Sequence, residues 1–445
     1  MISTLDPTPN LPGVSLSEPF VPPVPQSIEE TGLSETFLRQ MILKSLFFRG
    51  EVVGRDLARL LGLNFSVIEP LLESFKLQHL VAVKRSLGIG NVSAAFALSD
   101  QGRNLAQKYL ETNTYSGKAP VPLEQYAAAV KLQRRPQNWL TKEKLQAAFR
   151  HMVLNPRILS QIGPAVNAGK SFLIYGQPGN GKTYLAEALV RIESDPIYIP
   201  YAIECQGQII QMYDPVYHER LELEEDENSI WISQDEQHDG RWFLAKRPFI
   251  MTGGELTLEM LDLAFKPDSR TYDAPFQLKA NNGIYLIDDF GRQKVSPAEV
   301  LNRWIVPMEK GVDYFNFLSG GKMEVPFEVF LVFSTNLRPN QIGDEAFLRR
   351  IQYKLFLRSP DETEFVEIFR RYCDSQQLPI ADGALPDLIE RRYRASKRMF
   401  RRCHPRDIVT HAIDLIRFEG LPWLLTADVL DRAFDSTFVD EAYEP

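Results

Sequence analysis

The sequence predicts an α/β protein, in which a mostly parallel sheet flanked by helices lies between a small N-terminal domain and a C-terminal helical domain. Apolar strands and helices alternate from about residue 140 to residue 358, which is the pattern of a layered α/β domain. From Asp361 to about Phe438 the apolar residues recur with helical spacing. Residues 34–112 contain three helical segments, two short strands and a closing helix, so they form a unit of their own.

The composition excludes several classes of protein. No apolar run approaches the roughly 18 residues that a membrane span needs, and the first residues lack the basic and apolar segments of a secretory signal. The three cysteines, Cys205, Cys373 and Cys403, are widely spaced, which indicates a reducing compartment and no zinc site. The net charge of −8 argues against a chain that binds nucleic acid over its whole surface. We therefore expect a cytoplasmic protein without membrane contact.

The two segments that flank the N-terminal unit show little periodicity. Seven prolines occur by Pro25, so we expect the first residues to be a disordered or extended leader. The proline- and glycine-containing stretch that begins at Asn113 is interpreted as a linker. The predicted boundaries are a leader at 1–33, the N-terminal domain at 34–112, the linker at 113–139, the α/β domain at 140–360 and the helical domain at 361–445.

The N-terminal domain resembles a winged helix. Its third predicted helix, Ser66–Gln78, is followed by strands at Leu80–Lys84 and Ala94–Leu98 and by a helix that begins at Ser99. The turn into this last helix resembles that of many bacterial winged-helix regulators. The order of helices and strands therefore predicts three helices, a two-stranded wing and a closing helix.

The helix that reads DNA in such domains is acidic here. Ser66–Gln78 carries Glu69 and Glu73 and a single lysine, and acidic side chains oppose the phosphates of DNA. In the wing, only Lys84 and Arg85 could neutralise phosphates of DNA. We expect a module that docks a protein client or regulates the chain itself, and contact with DNA is the alternative.

A glycine-rich loop predicts an ATP site. It matches G-x-x-x-x-G-K-[ST], follows the apolar strand Ser171–Tyr175 and opens a helix, which is the context that the motif requires. Backbone amides and the helix N-terminus would bind the phosphates of ATP. Lys182 would reach the β- and γ-phosphates, and the Thr183 hydroxyl would ligate Mg²⁺. The predicted nucleotide-binding residues are Gly176, Gln177, Pro178, Gly179, Asn180, Gly181, Lys182, Thr183 and Tyr184.

A second apolar strand, Ile284–Ile287, ends in two aspartates. In a phosphate-binding α/β domain, one carboxylate of such a pair binds the metal ion and the other polarises the attacking water. Asp288 would hold Mg²⁺ through water, and Asp289 would polarise the water that attacks the γ-phosphate.

In this order the motifs resemble those of AAA+ ATPases, and the resemblance covers roughly residues 140–436. It implies that Asn336, which follows the apolar strand Val329–Phe333, is the sensor-1 residue between the γ-phosphate and the attacking water. Most AAA+ proteins have glutamate in place of Asp289, whereas bacterial replication initiators and helicase loaders often have the Asp-Asp pair found here.

The resemblance extends to three arginines. The segment Ala346–Ile351 resembles the arginine-finger segment, which implies that Arg350, with Arg349 as second choice, neutralises charge on the γ-phosphate of a neighbouring subunit. The segment His404–Asp407 resembles the sensor-2 element, which places Arg406 over the phosphates. The family forms rings, so we expect self-association, with a hexamer as the expected size.

Three further segments carry interpretations that stay open. Residues 311–327 predict a β-hairpin around Ser319–Gly321, as in the AAA+ branch with a hairpin before sensor 1, which includes MoxR-type chaperones. Residues 219–239 hold nine acids and one base, and are either an exposed acidic loop or a partner-docking element. Residues 391–406 hold eight basic residues and either contact the nucleotide and a neighbouring subunit or bind nucleic acid.

These interpretations predict an ATP-hydrolysing remodelling or chaperone-like AAA+ protein that recruits a protein client through the winged helix. The alternative is a DNA-associated AAA+ ATPase of the loader, transposition or transcription-regulator kind. A third interpretation is a nucleotide-switched scaffold with little turnover.

Overall fold

The computed structural model describes residues 19–438 apart from 87, 89, 137, 138, 193, 194, 223–237 and 344. No helix in these ranges is long and apolar enough to cross a membrane. Most of the acidic segment 219–239 lies outside the described residues, and so do the first 18 residues of the predicted leader.

The N-terminal domain consists of helices around a three-stranded antiparallel sheet with strand order β1-β3-β2. Side-chain oxygens of Ser34, Asn64 and Ser99 cap the starts of three of its helices, as expected for N-cap residues. The elements are α1 (Ile28–Thr31), α2 (Glu35–Arg49), β1 (Glu51–Val53), α3 (Gly54–Leu61), α4 (Phe65–Leu77), β2 (Val81–Ser86), β3 (Ala94–Leu98) and α5 (Asp100–Leu110).

Two of the predicted boundaries are wrong. Within the leader, predicted to be disordered or extended, residues 19–33 belong to the folded core: Phe20 contacts Trp242 edge-on, and Leu33 is buried in the core of the N-terminal domain. Within the supposed linker, the strand β4 (Val121–Pro122) and the helix α6 (Leu123–Leu132) bury Tyr126, Ala129 and Val130. Both segments lack a strong periodic pattern of their own because they add apolar side chains to a core that distant residues build.

The central sheet has five parallel strands in the order β10-β13-β16-β5-β17, and every neighbouring pair is parallel. The helices and strands of this region that build or cover the sheet are α7 (Lys142–Phe149), α8 (Pro156–Ala168), β5 (Ser171–Tyr175), α9 (Lys182–Ala188), β10 (Phe249–Thr252), α10 (Phe276–Lys279), β13 (Ile284–Ile287), α11 (Pro297–Lys310), β16 (Phe330–Thr335), α12 (Pro339–Ile342), α13 (Glu345–Leu348) and β17 (Tyr353–Phe356).

Helices cover both faces of this sheet. Phe172 and Ile174 of β5 pack with α7, α8 and α9, whereas Leu173, between them in sequence, packs on the opposite face with Trp304 of α11. Successive side chains of a strand point to opposite faces, so a strand that is apolar at every position must be buried on both sides. The predicted fold class, a parallel sheet flanked by helices, is confirmed.

The chain also forms a second five-stranded sheet, with the order β11-β12-β8-β7-β4. The predicted hairpin is present, and its apolar side chains Phe315, Phe317, Met323 and Val325 are buried with the residues of this second sheet. Besides β4, the strands of this sheet are β7 (Ala202–Cys205), β8 (Gln208–Gln211), β11 (Ala264–Lys266) and β12 (Thr271–Asp273). Two separate two-stranded sheets are formed by β6 (Ile197–Pro200) with β9 (Trp242–Ala245) and by β14 (Val312–Asn316) with β15 (Lys322–Pro326).

A buried arginine joins the N-terminal domain to the α/β region. The Arg241 side chain is 2% exposed and forms an ion pair with Asp239 at 2.7 Å. It also donates to the backbone oxygen of Thr31 at 2.9 Å and to the Gln125 side chain at 3.3 Å. Beside it, a Cβ on Gly62 would lie 2.4 Å from the Gly240 oxygen, so the two backbones are in direct contact. The N-terminal domain is therefore packed against the segment that directly precedes β9.

The C-terminal domain is helical, as predicted. Its helices are α14 (Glu362–Ser375), α15 (Ala384–Leu388), α16 (His404–Glu419) and α17 (Ala427–Thr437), and a π-helical turn at Ile389–Arg394 follows α15. A capping box between Asp361 and Glu364 fixes the start of α14.

Candidate functional site

The carboxyl ends of three adjacent parallel strands bring the predicted site together. The glycine-rich loop follows β5, the two aspartates follow β13, and Asn336 follows β16, which lies between these two strands. In parallel sheets, ligands bind at the carboxyl ends of the strands. The glycine-rich loop and the two aspartates, about a hundred residues apart in sequence, therefore lie together at the carboxyl end of the central sheet.

The glycine-rich loop has the conformation that its glycines allow. Gly179 and Gly181 have φ values of 75° and 80°, which non-glycine residues rarely adopt. Gly179 also lies against the helical domain, since a Cβ there would be 2.6 Å from the Cys403 sulfur. The Cys403 amide donates to the Gly179 oxygen at 2.9 Å. The loop is thus held between the sheet and the helical domain, with α9 beginning at Lys182.

Lys182 is buried at the centre of the site. Its Nζ atom donates to Asn336 Oδ1 at 2.6 Å and to the Gln177 backbone oxygen at 3.1 Å. Burial lowers its pKa, the carboxylates of Asp288 and Asp289 raise it, and two nearby cations lower it further, Arg401 and Arg292. A bound phosphate would add the negative charge that a buried ammonium group needs.

The two residues predicted to hold Mg²⁺ are in contact. The Thr183 hydroxyl donates to Asp288 Oδ2 at 2.8 Å. A hydroxyl and a carboxylate are hard oxygen ligands of the kind that Mg²⁺ takes together with phosphate oxygens. The donor set therefore fits Mg²⁺ bound with a nucleotide. Within the described residues no cluster of three or more histidine, cysteine or acidic side chains forms a metal site without a nucleotide.

Asp289 and Asn336 form the other half of the site. Asn336 Nδ2 donates to Asp289 Oδ1 at 3.2 Å, while its Oδ1 accepts from Lys182. Asn336 therefore bridges the cation of the phosphate loop and the carboxylate proposed to polarise water. Asp289 adopts a left-handed backbone conformation, with φ of 47°.

The other loop residues have different surroundings. Asn180 is fully buried and donates to the Ser359 hydroxyl at 3.2 Å, so it anchors the loop to the chain beyond β17. A Cβ on Gly176 would lie 2.4 Å from the Leu357 oxygen, which leaves room for glycine alone. Tyr184 is 46% exposed, and its ring meets that of His151 edge-on.

Arg349 and Arg350 lie at the other end of the sheet. Ser171, the first residue of β5, donates its hydroxyl to the Arg350 backbone oxygen at 3.1 Å. The five residues of β5 rise about 16 Å towards the glycine-rich loop. Arg350 forms an ion pair with Glu309, and Arg349 is exposed. Neither is brought to the predicted nucleotide site of its own chain.

Arg406, predicted to lie over the phosphates, forms no hydrogen bond with the glycine-rich loop among the described residues. Its guanidinium pairs with the neighbouring Asp407 at 2.9 Å, and 66% of its side chain is exposed. Arg401 instead donates to Ser359 at 2.7 Å, the same hydroxyl that Asn180 contacts, and its charge lowers the pKa of Lys182. Sequence reasoning missed Arg401 because nothing in the basic stretch distinguishes it from its neighbours.

Most cations of the basic stretch 391–406 are engaged within the chain. Arg391 and Arg392 form ion pairs with Asp431, and Arg394 pairs with Glu362. Arg402 forms an ion pair with Glu364, and Arg406 forms one with Asp407. Arg398 lies over the aromatic rings of Phe434 and Phe438. These contacts leave little positive charge for nucleic acid, which favours the first of the two interpretations of this stretch.

Comparisons with known proteins give the following matches. Residues 361–436 match a family described as a domain of unknown function, DUF8689. No curated protein matches the chain. The chain is similar to NtrX from Brucella abortus in complex with ADP, with 15% identity and a TM-score of 0.39 over 68% of this chain and 60% of that one.

Two further solved structures are similar at the same level. NtrX from Brucella abortus in complex with ATP has 15% identity and a TM-score of 0.36, over 74% of this chain and 62% of that one. A point mutant of Thermotoga maritima RuvB has 14% identity and a TM-score of 0.35, over 68% of this chain and 73% of that one. The chain thus spans about three fifths of the length of these two NtrX structures.

Proposed function

We propose that this chain is a Mg²⁺-dependent ATPase of the AAA+ kind that uses ATP hydrolysis to remodel a protein client. The observation that carries the proposal is the contact network of the site, in which Lys182, Asn336 and Asp289 are linked by hydrogen bonds and Thr183 contacts Asp288. Each of these side chains is of the type that phosphoryl transfer to water requires at its position.

In this proposal the backbone amides of the glycine-rich loop bind the phosphates, and Lys182 neutralises the β- and γ-phosphates. Thr183 and Asp288 would hold Mg²⁺, which would supply positive charge to the bound phosphates. Asp289 accepts a hydrogen bond from the attacking water, and Asn336 fixes the position of that carboxylate. Arg401 is placed to add a second cation from the helical domain.

The N-terminal domain has the element order of a winged helix, from α2 through β3, and we assign it to protein docking. In winged helices that bind DNA, the start of the reading helix enters the major groove. At the start of α4, Ser66 donates to the Gln26 backbone oxygen at 3.0 Å and Asn64 donates to the Gln26 side chain at 3.2 Å, so these two polar groups already have partners within the chain.

The charges of this domain support the same assignment. Lys76, the lysine of α4, pairs with Glu73 at 2.7 Å, and Arg85 of the wing pairs with Glu51 at 2.8 Å. Glu69 is exposed on α4. A surface whose cations are already paired and whose exposed helix carries acids is poorly suited to a phosphate backbone.

We further propose ring assembly of the MoxR-like, chaperone-type branch, with a hexamer as the expected size. The position of Arg349 and Arg350 supports assembly, since they lie about 16 Å along β5 from the phosphate loop of their own chain. Only the nucleotide of a neighbouring subunit would be within their reach.

Asp289→Asn should bind ATP normally and hydrolyse it about 10²-fold more slowly, since the amide cannot polarise water as a carboxylate does. Phosphate release by the full chain with and without Mg²⁺ measures this. Asp268→Asn, on the exposed turn between β11 and β12, is the matched control and should hydrolyse at the wild-type rate. Negligible hydrolysis by the wild-type chain would instead favour a nucleotide-switched scaffold.

The full chain should bind random duplex DNA weakly. The wing carries two cations, Lys84 and Arg85, of which Arg85 is paired with Glu51, so at most about two phosphates are neutralised there, and the log–log salt slope should be no steeper than roughly −2. Fluorescence anisotropy between about 50 and 200 mM salt measures affinity and slope together. A slope near −6, or stimulation of the ATPase by DNA, would favour the DNA-associated alternative.

A further inference from the structure

In the turn after β13, Asp289 has an unfavourable backbone conformation. Asp289 has φ of 47°, a left-handed conformation in which a residue with a side chain is less stable than in the right-handed region. Asp288 and Asp289 must nevertheless keep fixed orientations if their carboxylates are to serve the metal and the water. Some other group has to stabilise this turn.

The side chain of Gln293 contacts this turn through its amide group. Its Oε1 accepts from the Gly291 amide at 2.7 Å. Its Nε2 donates to the Asp288 backbone oxygen at 3.1 Å and also faces the oxygens of Asp289 at 3.4 Å and Gly253 at 3.3 Å. Only this orientation of the amide pairs a donor with the carbonyls and an acceptor with the N–H group.

Gln293 is buried, with 9% of its surface exposed. Its four contacts all go to backbone atoms, and two of them go to the residues whose side chains form the site. On the opposite side, Asn336 contacts the Asp289 carboxylate at 3.2 Å. Asp289 is thus held through its backbone by Gln293 and through its side chain by Asn336.

We infer that Gln293 is a positioning residue for ATP hydrolysis: it fixes the Asp288–Asp289 turn so that the Asp289 carboxylate faces the attacking water. This inference rests on the proposed function. Gln293 does not contact the phosphate loop in any described hydrogen bond, so its loss should act on the rate of hydrolysis and leave nucleotide binding alone.

Two substitutions test the inference in the full chain. Gln293→Glu keeps the shape and an acceptor for Gly291 but puts a carboxylate against three carbonyl oxygens, and Gln293→Ala removes all four contacts. Both should lower kcat by about 10²-fold, the typical cost of a small misplacement of a reacting group. The apparent affinity for ATP should change less than about twofold. Gln107→Glu, on the exposed face of α5, is the matched control.

A double-mutant cycle separates positioning from a general structural role. If Gln293 acts through Asp289, Gln293→Ala should cause no further loss of kcat in an Asp289→Asn background. An equal loss in both backgrounds would overturn the inference, as would wild-type kcat in the single variants. Loss of folding in both variants, read from their melting temperatures, would also overturn it. The proposed function fails separately, if the wild-type chain does not hydrolyse ATP.

Discussion

Replacing Lys182 by alanine should abolish ATP binding and with it all hydrolysis. Lys182 is the side-chain cation of the glycine-rich loop, and it is buried between Asn336 and the two aspartates. Without it, Asp288 and Asp289 would face the phosphates with no ammonium group to balance them. Removing one charge of a buried pair costs about 2–5 kcal/mol, so the affinity for ATP should fall by about 30-fold to about 5,000-fold.

Titration with a fluorescent nucleotide measures this affinity. Lys170→Ala is a matched control because Lys170 is exposed and directly precedes β5, at the end of the strand far from the loop. It removes the same charge and should leave the affinity unchanged. If Lys182→Ala bound nucleotide with near-normal affinity, the assignment of the phosphate site would be wrong.

Replacing Arg350 by alanine should leave ATP binding intact and lower turnover by as much as about 10³-fold, the effect expected of an arginine finger. Arg350 lies at the amino end of the central sheet, beside the first residue of β5, so in the proposed ring its charge would serve a neighbouring subunit. Steady-state phosphate release and nucleotide titration separate the two effects. Arg349→Ala, tested in parallel, decides which of the two adjacent arginines carries the role.

A mixing experiment tests action between subunits. Lys182→Ala subunits lack a working pocket but keep Arg350, whereas Arg350→Ala subunits keep the pocket. A mixture should therefore recover part of the activity that each variant lacks. Absence of recovery in a mixture that co-assembles, as judged by size-exclusion chromatography, would argue against action in trans.

The strands and loops that carry the site could be predicted from local sequence. The strands Ser171–Tyr175 and Ile284–Ile287 have the predicted bounds, and β16 ends two residues later than predicted, so that Asn336 directly follows it. A continuous apolar run of four or five residues between turn residues is typical of a strand buried on both faces. Glycines and a lysine at fixed spacing likewise restrict the backbone of the phosphate loop.

Packing between distant segments could not be predicted in this way. Phe20 packs against Trp242, and Tyr126 of the supposed linker is buried among strands of the second sheet. Arg241 pairs with Asp239 but also contacts Thr31, about two hundred residues earlier in the chain. Such contacts leave no periodic pattern in either segment, because each contributes only a few side chains to a core formed mainly by others.

By itself, the sequence determined the parallel α/β architecture, the glycine-rich phosphate loop and the identity of the polar residues at the ends of the strands. Only the tertiary structure decided which arginine of the helical domain approaches Lys182, and that Gln293 supports the Asp288–Asp289 turn. The physical reason is range: strand burial and loop geometry depend on neighbouring residues, whereas the positions of Arg401 and Gln293 depend on how separate elements pack together.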